Sequence, residues 1–376
     1  MPLISIVLPS YNGARYIRES IDSILRQTYT DWELIIVDDC SNDCTLEIAR
    51  KYACRDSRIR VVHNETNMKL PGSLNIGFSY ANGEYLTWTS DDNEYLPEAL
   101  TVMADRLESS NAAMVCADEY AVNDAGERKW DTALSYKDDE LCRKNTVGAC
   151  FLYRREVYEQ IGNYDTDLFC VEDYDYWLRV KDRFGRIERI ERVLYRYRYH
   201  GASLSSMKKE KIRRALIELR RKHLDYILEE LKDRKEYLCA FYYEMLERRT
   251  MDEEIKGRIQ SLLPELKNDR IGKQGKYIIF GAGEYGLRAL SYLEKAEETV
   301  EFFADNNPDK VGVYKGGKEI LSFEKMISLA SQYDIMIAIH GDNIYPLIHQ
   351  LLDHGINQYC TLPSYLRGIE RSEERE

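Results

Sequence analysis

The sequence predicts an α/β protein: a mostly parallel sheet flanked by helices, a helical linker, and a second, smaller α/β domain. Three observations predict it. Short apolar runs alternate with amphipathic segments over residues 1–205. Glycine and proline nearly vanish over 206–270, where Lys, Arg, Glu and Leu dominate. The alternation then restarts and runs from 271 to 365, before a charged tail at 366–376. A β-α-β-α rhythm suits a parallel sheet covered on both faces, because each parallel connection needs a crossover. A chain of 376 residues is also long for one domain.

In order, Ile4-Ser5-Ile6-Val7-Leu8 reads as a strand closed by Pro9, and Tyr16 to Gln27 as a helix with Ile17, Ile21, Ile24 and Leu25 on one face. Glu33 to Val37 is a strand stopped by Asp38-Asp39, followed by a helix from Thr45 to Tyr52 and a short strand at Arg60-Val61-Val62. A helix across Ser73 to Ala81 leads to a strand at Tyr85 to Thr89. The helical linker ends near Pro264 and Gly272. Beyond it, Tyr277 to Phe280, Val300 to Ala304 and Ile335 to Ile339 read as strands of a small Rossmann-like domain.

Composition excludes some classes. The chain is 44% hydrophobic and 31% charged, ordinary for a soluble globular protein, and its net charge of −12 argues against nucleic acid as a partner. An anionic substrate then needs local basic groups or a metal ion. No apolar run reaches the 18 residues of a membrane span, and MPLISIVLPSYNG lacks the basic start of a signal peptide. The nine cysteines form no CxxC pairs, which fits reduced thiols in a cytoplasmic protein. Residues 207–222 carry eight basic and two acidic side chains. Such a helix either packs between domains or lies on an anionic membrane, which allows peripheral contact with the inner face of the cell membrane.

Carboxylates cluster where strands end: Asp38-Asp39 after one, Asp91-Asp92 after another. In open parallel sheets ligands bind outside the carboxyl ends of the strands, and paired carboxylates there suit a ribose, a base or a divalent cation. One Asp-Asp pair alone is more often a turn. Glu172, Asp173 and Asp175 taken alone suit a helix start, where carboxylates complement the dipole.

Four motifs occur in order. They are Pro9-Ser10-Tyr11-Asn12 with Ser20 to Tyr29 and Glu33 to Ser41; Gly83 to Asn93, including Asp91-Asp92-Asn93; Glu172-Asp173-Tyr174-Asp175-Tyr176-Trp177-Leu178-Arg179; and Arg196 to Ser203. Together they resemble family 2 of the inverting glycosyltransferases, with a GT-A-type fold, and are especially similar to the spore-coat-polysaccharide synthase type. The resemblance implies a transferase moving a sugar from a UDP- or TDP-sugar onto an acceptor hydroxyl, with Mn2+ or Mg2+ as cofactor. The acceptor expected is a saccharide or lipid-linked saccharide, in synthesis of a bacterial surface polysaccharide such as capsule or O-antigen.

By position, the resemblance implies that Pro9, Tyr11 and Asp39 form the nucleobase pocket, Lys69 lies near the pyrophosphate and Asp91 contacts ribose. Asp92 binds the metal, with His200 a further ligand or phosphate contact, and Asp173 is the general base. The chain departs from many relatives in having Thr89 or Ser90 where they carry an Asp, so the division of labour between Asp91 and Asp92 stays open. Tyr195 to Tyr199 offer aromatic faces suited to an acceptor groove.

In the last domain, Gly281, Gly283 and Gly286 stand between a strand and a helix, with Asp305 19 residues after Gly286, where a dinucleotide fold places its ribose-binding acid. A nucleotide-sugar or NAD fits that pattern, as does a tight turn with no ligand. No dehydrogenase acid/base set accompanies the glycines, so redox chemistry is not expected. A sugar nucleotidyltransferase is disfavoured by the single glycine in Pro9-Ser10-Tyr11-Asn12-Gly13, and a catalytically dead binding module by the intact Asp91, Asp92 and Asp173.

Overall fold

The computed structural model describes residues 1–129, 136–201, 208–270, 275–339 and 341–366; the charged tail from 367 on, and Ala202 and Ser203 of the last motif, lie outside these. The chain forms two compact units, Met1–Leu219 and Arg220–Glu376. The helix Lys209–Lys222 runs across their boundary.

The first unit is built on an eight-stranded sheet of order β3-β2-β1-β4-β7-β6-β8-β5. Its first half comprises β1 (Ile4–Ser10), β2 (Trp32–Asp38), β3 (Ile59–His63) and β4 (Tyr85–Trp88), all paired in parallel. The connections are α1 (Ile17–Leu25), α2 (Thr45–Ala53) and α3 (Lys69–Ser79). Ile17, Ile21 and Ile24 of α1 are buried against Ile4, Ile6, Leu34 and Ile36. The second half is mixed. Here β5 (Glu94–Tyr95) leads through α4 (Ala99–Ser109) to β6 (Met114–Val122), then β7 (Phe151–Arg154), α5 (Arg155–Ile161), α6 (Glu172–Phe184) and β8 (Glu188–Arg198). The long β8 inserts between β6, to which it is parallel, and β5, to which it is antiparallel.

Two boundaries differ from the sequence expectation. Pro9 does not close β1, which runs on to Ser10. Backbone groups of odd residues in β1 face β4, as the Thr89 N–H to Val7 carbonyl bond shows, and β4 ends opposite Val7. The donor that Pro9 lacks therefore has no ladder partner to lose. Likewise α3 begins at Lys69 and not near Ser73, because Pro71 falls in its first turn, where N–H groups have no intrahelical acceptor.

The second unit holds a six-stranded sheet of order β11-β12-β10-β9-β13-β14. Its strands are β9 (Lys276–Phe280), β10 (Thr299–Ala304), β11 (Tyr314–Lys315), β12 (Lys318–Leu321), β13 (Asp334–Ile337) and β14 (Cys360–Thr361). All its pairings are parallel except β11 with β12. Before β9, the helix Lys235–Glu247 buries Leu238, Phe241, Tyr242, Tyr243 and Met245 and packs on the helix Ile344–Asp353. No helix among the described residues is long and apolar enough to cross a membrane. The basic helix Lys209–Lys222 buries Ala215 and Leu219, and its Arg213 and Arg214 pair with Glu210.

Candidate functional site

The candidate residues gather at the carboxyl ends of the parallel strands. Tyr11, just past β1, is 51% exposed despite its size. Its loop is fixed by polar links: the Asn12 N–H donates to Ser41 Oγ at 3.0 Å and the Asn42 N–H to Asn12 Oδ1 at 2.8 Å. Past β2, Asp38 and Asp39 are both buried. Asp38 Oδ2 meets His63 Nδ1 at 2.8 Å, while its Oδ1 is buried with no hydrogen-bond partner. Asp39 Oδ1 accepts from Asn64 Nδ2 at 2.9 Å and from the Met68 N–H at 2.7 Å. That fixes the carboxylate and leaves Oδ2 without a partner among the described residues. Lys69 is exposed at the head of α3.

Among the described residues, the four non-glycine residues with left-handed backbone in the first unit lie in these loops or just before α6: Asn12 (φ 56°), Cys40 (φ 64°), Lys69 (φ 64°) and Cys170 (φ 85°). Such conformations cost on the order of 1 kcal/mol each and concentrate where a site dictates the backbone.

Past β4 stand Asp91 and Asp92. Ser10 Oγ donates to Asp91 Oδ2, and a Cβ on Gly13 would come within 1.9 Å of that oxygen, so only glycine leaves room for the carboxylate. Burial and the neighbouring charge of Asp92 push Asp91 up to about 7. Asp92 Oδ2 is 2.8 Å from His200 Nε2, and this hydrogen bond raises the imidazole above its usual range.

Asp92 is also held through its backbone. Arg198, 3% exposed, donates to the Asp92 carbonyl at 3.0 Å, to Glu19 at 2.6 Å, to Glu94 at 3.3 Å and to the Asp124 carbonyl at 3.2 Å. Its guanidinium lies over the Tyr16 ring, which tilts against His200 with centroids 5.1 Å apart. Thr89, buried, has its Oγ1 2.5 Å from Tyr195 Oη, so its hydroxyl is directed into the core, and Ser90 offers only its carbonyl, to Ser20. Tyr195 is fully buried and packs edge-on to Tyr95, so it lines no groove, whereas Tyr197 and Tyr199 are half-buried.

Asp173 lies in the first turn of α6. Its Oδ2 accepts from Asn145 Nδ2 at 2.9 Å and its Oδ1 from the Tyr174 N–H at 2.7 Å. Desolvation raises it against these two donors. Glu172 is buried, accepts from the Cys170 N–H at 2.6 Å, and is pushed up to about 8 by burial and the charge of Asp173. Asp175 is a structural ion pair with Arg179 at 2.8 Å. An aromatic bridge ties α6 to the end of β4: Trp88 packs on Phe151, Phe151 on Trp177 at 4.5 Å, and Trp88 Nε1 donates to Tyr164 Oη at 3.0 Å.

The profile described as Glycosyl transferase family 2 matches residues 5–162. EpsE of Bacillus subtilis (strain 168), assigned as a glycosyltransferase, is 33% identical over 203 residues, covering 52% of this chain and 73% of EpsE. The chain belongs to glycosyl transferase family 2. WcaA of Escherichia coli (strain K12), assigned to colanic acid biosynthesis, is 32% identical to this family 2 glycosyltransferase over 206 residues, covering 50% of it and 70% of WcaA. Among solved structures, S. aureus TarS 1-349 in complex with UDP-GlcNAc matches with a TM-score of 0.54 at 18% identity, over 71% of this chain and 83% of TarS. The Pyrobaculum calidifontis mannosyltransferase PcManGT, in complex with GDP-Man and Mn2+, matches with a TM-score of 0.52 at 16% identity, over 79% of this chain and 80% of the other. These likenesses establish the GT-A-type fold.

In the second unit of this glycosyltransferase the three glycines differ. A Cβ on Gly286 would lie 2.0 Å from the Gly281 carbonyl, and Gly281 itself has φ 116° under the Ala338 carbonyl, whereas Gly283 faces open space. Asp305 is spoken for: Oδ2 accepts from the Ala282 N–H at 3.0 Å and from Lys310 Nζ at 2.8 Å, and Oδ1 from the Asn307 N–H at 2.9 Å.

Sequence reasoning missed Ser10, His63, Asn64, Asn145 and Arg198. Ser10 and Arg198 carried a signal, because they stand inside the first and fourth motifs.

Proposed function

We propose that this glycosyltransferase inverts the anomeric centre of a nucleoside-diphosphate sugar, with UDP or TDP as the nucleotide and an acceptor hydroxyl as the nucleophile. The observation that carries it is the Asp91–Asp92 pair, two adjacent carboxylates past the end of β4, faced among the described residues by His200 at the Asp92 carboxylate and by Arg198 at the Asp92 carbonyl. Such a pair fits a divalent cation. Among the described residues no set of three or more His, Cys, Asp or Glu side chains forms a cage; Asp92 and His200 are the residues that would hold the ion beside the donor's diphosphate. Mn2+ or Mg2+ bound there supplies Lewis-acid stabilisation of the leaving diphosphate.

The remaining roles fall to the chain's own residues. Tyr11 stacks on the nucleobase beside the end of β1 that carries Pro9, and the unpartnered oxygen of Asp39 accepts a base N–H. Asp91 binds the ribose, accepting from a hydroxyl beside its bond to Ser10. Lys69 sets a positive charge near the diphosphate. Asp173 takes the proton of the acceptor hydroxyl as its oxygen bonds to the anomeric carbon. The bond to the diphosphate breaks on the opposite face, and its electron pair leaves with the nucleotide. A positioned base contributes about 10²–10⁴-fold.

The UDP-GlcNAc complex of TarS and the colanic acid assignment of WcaA support a nucleotide-sugar donor and a polysaccharide product of the capsule or O-antigen kind. A lipid-linked saccharide acceptor gives the exposed basic groups of Lys209–Lys222 a use at the inner face of the cell membrane. The second unit is a Rossmann-like fold, and open space at Gly283 suits a nucleotide-sugar; with Asp305 engaged, an NAD ribose has no acid to meet. The deciding experiment is thermal unfolding with UDP, TDP, GDP, ADP and CDP, with and without Mn2+. A shift with UDP or TDP that needs metal and vanishes in Asp92→Ala is expected. No shift with any diphosphate would overturn the reading.

A further inference from the structure

Asn145 opens a short segment, residues 145–149, that leads into β7, and both ends of this segment are tied to acids. At the start, Asn145 Nδ2 donates to Asp173 Oδ2 at 2.9 Å. The amide is oriented by its own turn, since Asn145 Oδ1 accepts from the Val147 N–H at 3.3 Å and so leaves the NH2 end to face Asp173. At the far end, the Ala149 N–H donates to Oε2 of the buried Glu119 at 2.8 Å. Gly148 between them has φ 77°, and a Cβ there would approach Glu119 Oε2 to 3.1 Å. Thr146 Oγ1 adds a bond to the Lys137 carbonyl at 3.1 Å. The segment is therefore a strut from β6 to the head of α6, and the Asn145 amide is its tip.

We propose that Asn145 is a positioning residue for Asp173, fixing Oδ2 of its carboxylate in one orientation for the incoming acceptor hydroxyl. The inference rests on the reading of Asp173 as the base. Among the described residues Asn145 is the sole side-chain donor to Asp173; the other bond comes from the backbone of Tyr174. Asp173 is faced by Glu172 beside it on α6, by Cys170 in the preceding turn, and by Tyr164 from the segment between α5 and α6. None of these three carries a positive charge; the cations near this turn, Lys211 and Lys208, act on Cys170. A hydrogen bond donated to a carboxylate favours its ionised form, and desolvation opposes it. Without the Asn145 donor, only backbone N–H groups oppose burial, and Asp173 moves toward the protonated state in which it accepts no proton.

The test uses the full chain labelled with carboxyl-13C aspartate, and the Asp173 signal is identified by its absence from D173N. Its titration is followed in wild type, N145L, N145A and N145S, and release of nucleoside diphosphate from UDP- and TDP-sugars is measured in parallel. In N145L and N145A the Asp173 midpoint rises by about half a pH unit or more, a roughly threefold shift in proton affinity, and N145S recovers part of it. Thermal shifts with UDP or TDP and Mn2+ stay as in wild type. An unchanged midpoint in the folded variants overturns the positioning role alone. Wild-type turnover in D173N overturns the base itself and the positioning role with it.

Discussion

His200 Nε2 and Asp92 Oδ2 lie 2.8 Å apart, a contact that a proton on the imidazole strengthens and a metal ion would replace. The bond holds His200 above its usual range, so its contribution to folding is fully present below about 6.5 and is lost as pH rises through the higher folded value. Cation binding runs the opposite way, because the ligand must be deprotonated. The Mn2+-dependent thermal shift with UDP or TDP should therefore grow as pH rises through the titration of His200. In His200→Ala this dependence should flatten, with metal affinity about 10–100-fold weaker, measured by calorimetric titration.

Lys69 combines a left-handed backbone with an exposed side chain at the head of α3. Lys69→Gly should raise stability by about 1 kcal/mol through relief of that conformation. If the ammonium meets the diphosphate, the same change weakens nucleotide binding. Denaturant midpoints and nucleotide affinity should thus move in opposite directions. A variant that gains stability and keeps full affinity would remove Lys69 from the site.

Glu119 is 2% exposed and burial pushes it up to about 7. A carboxyl whose folded value is raised contributes stability at acid pH that is lost as pH climbs from the unfolded value toward the folded one, here from about 4.5 to about 7. Glu119→Gln keeps an acceptor for the Ala149 N–H without the charge. It should be more stable than wild type at pH 8 by up to about 3 kcal/mol and show a flatter stability profile between pH 5 and 8 in urea titrations.

Arg198 joins Asp92, Glu19, Glu94 and Asp124 from a buried position. Arg198→Met leaves Glu94 with only Arg196 and the more distant Arg26 as cationic partners. The expected loss is about 3 kcal/mol of stability, seen by chemical denaturation, together with loss of the Mn2+-dependent thermal shift.

Gly286 and Gly283 separate packing from ligand binding in the second unit. Gly286→Ala sets a Cβ on the Gly281 carbonyl and should unfold that unit, whereas Gly283→Ala should leave its melting temperature unchanged. A thermal shift with a UDP- or TDP-sugar that survives Asp92→Ala and disappears in Gly283→Ala would locate a second nucleotide site. No such shift would leave the unit a scaffold.

The parallel half of the first sheet was legible because β1, β2 and β4 are largely apolar runs ending in a carboxylate pair or a turn, a pattern that suits a doubly covered strand, whereas β3, at the edge, keeps Arg60 among its apolar residues. The mixed half was not. β6 carries Asp118 and Glu119 in mid-strand, and β8 interleaves arginines with apolar residues, because salt links such as Asp118–Arg189 at 2.7 Å satisfy their charges. The carboxylates were readable from motifs, whereas the groups that hold them were not. Asn64 looks like an ordinary turn residue, and Asn145 lies 28 positions from the acid it touches. Asp305 had the spacing of a ribose contact, but its pairing with Lys310, five residues on, was not legible.

The insertion of β8 between β6 and β5 sets an order on synthesis. Asp39, Asp91 and Asp92 precede Arg198 at the end of β8, and His200 just beyond it, by more than 100 residues, and that strand adds to the open edge of β6 and brings β5 into the sheet. Pairings of such long sequence separation form late, after the entropy of closing the intervening chain has been overcome. A nascent chain stalled before β8 therefore exposes the edge of β6 and an uncompensated acidic cluster. If the site binds nucleotide and metal as proposed, these can act as folding ligands only once His200 is clear of the exit tunnel.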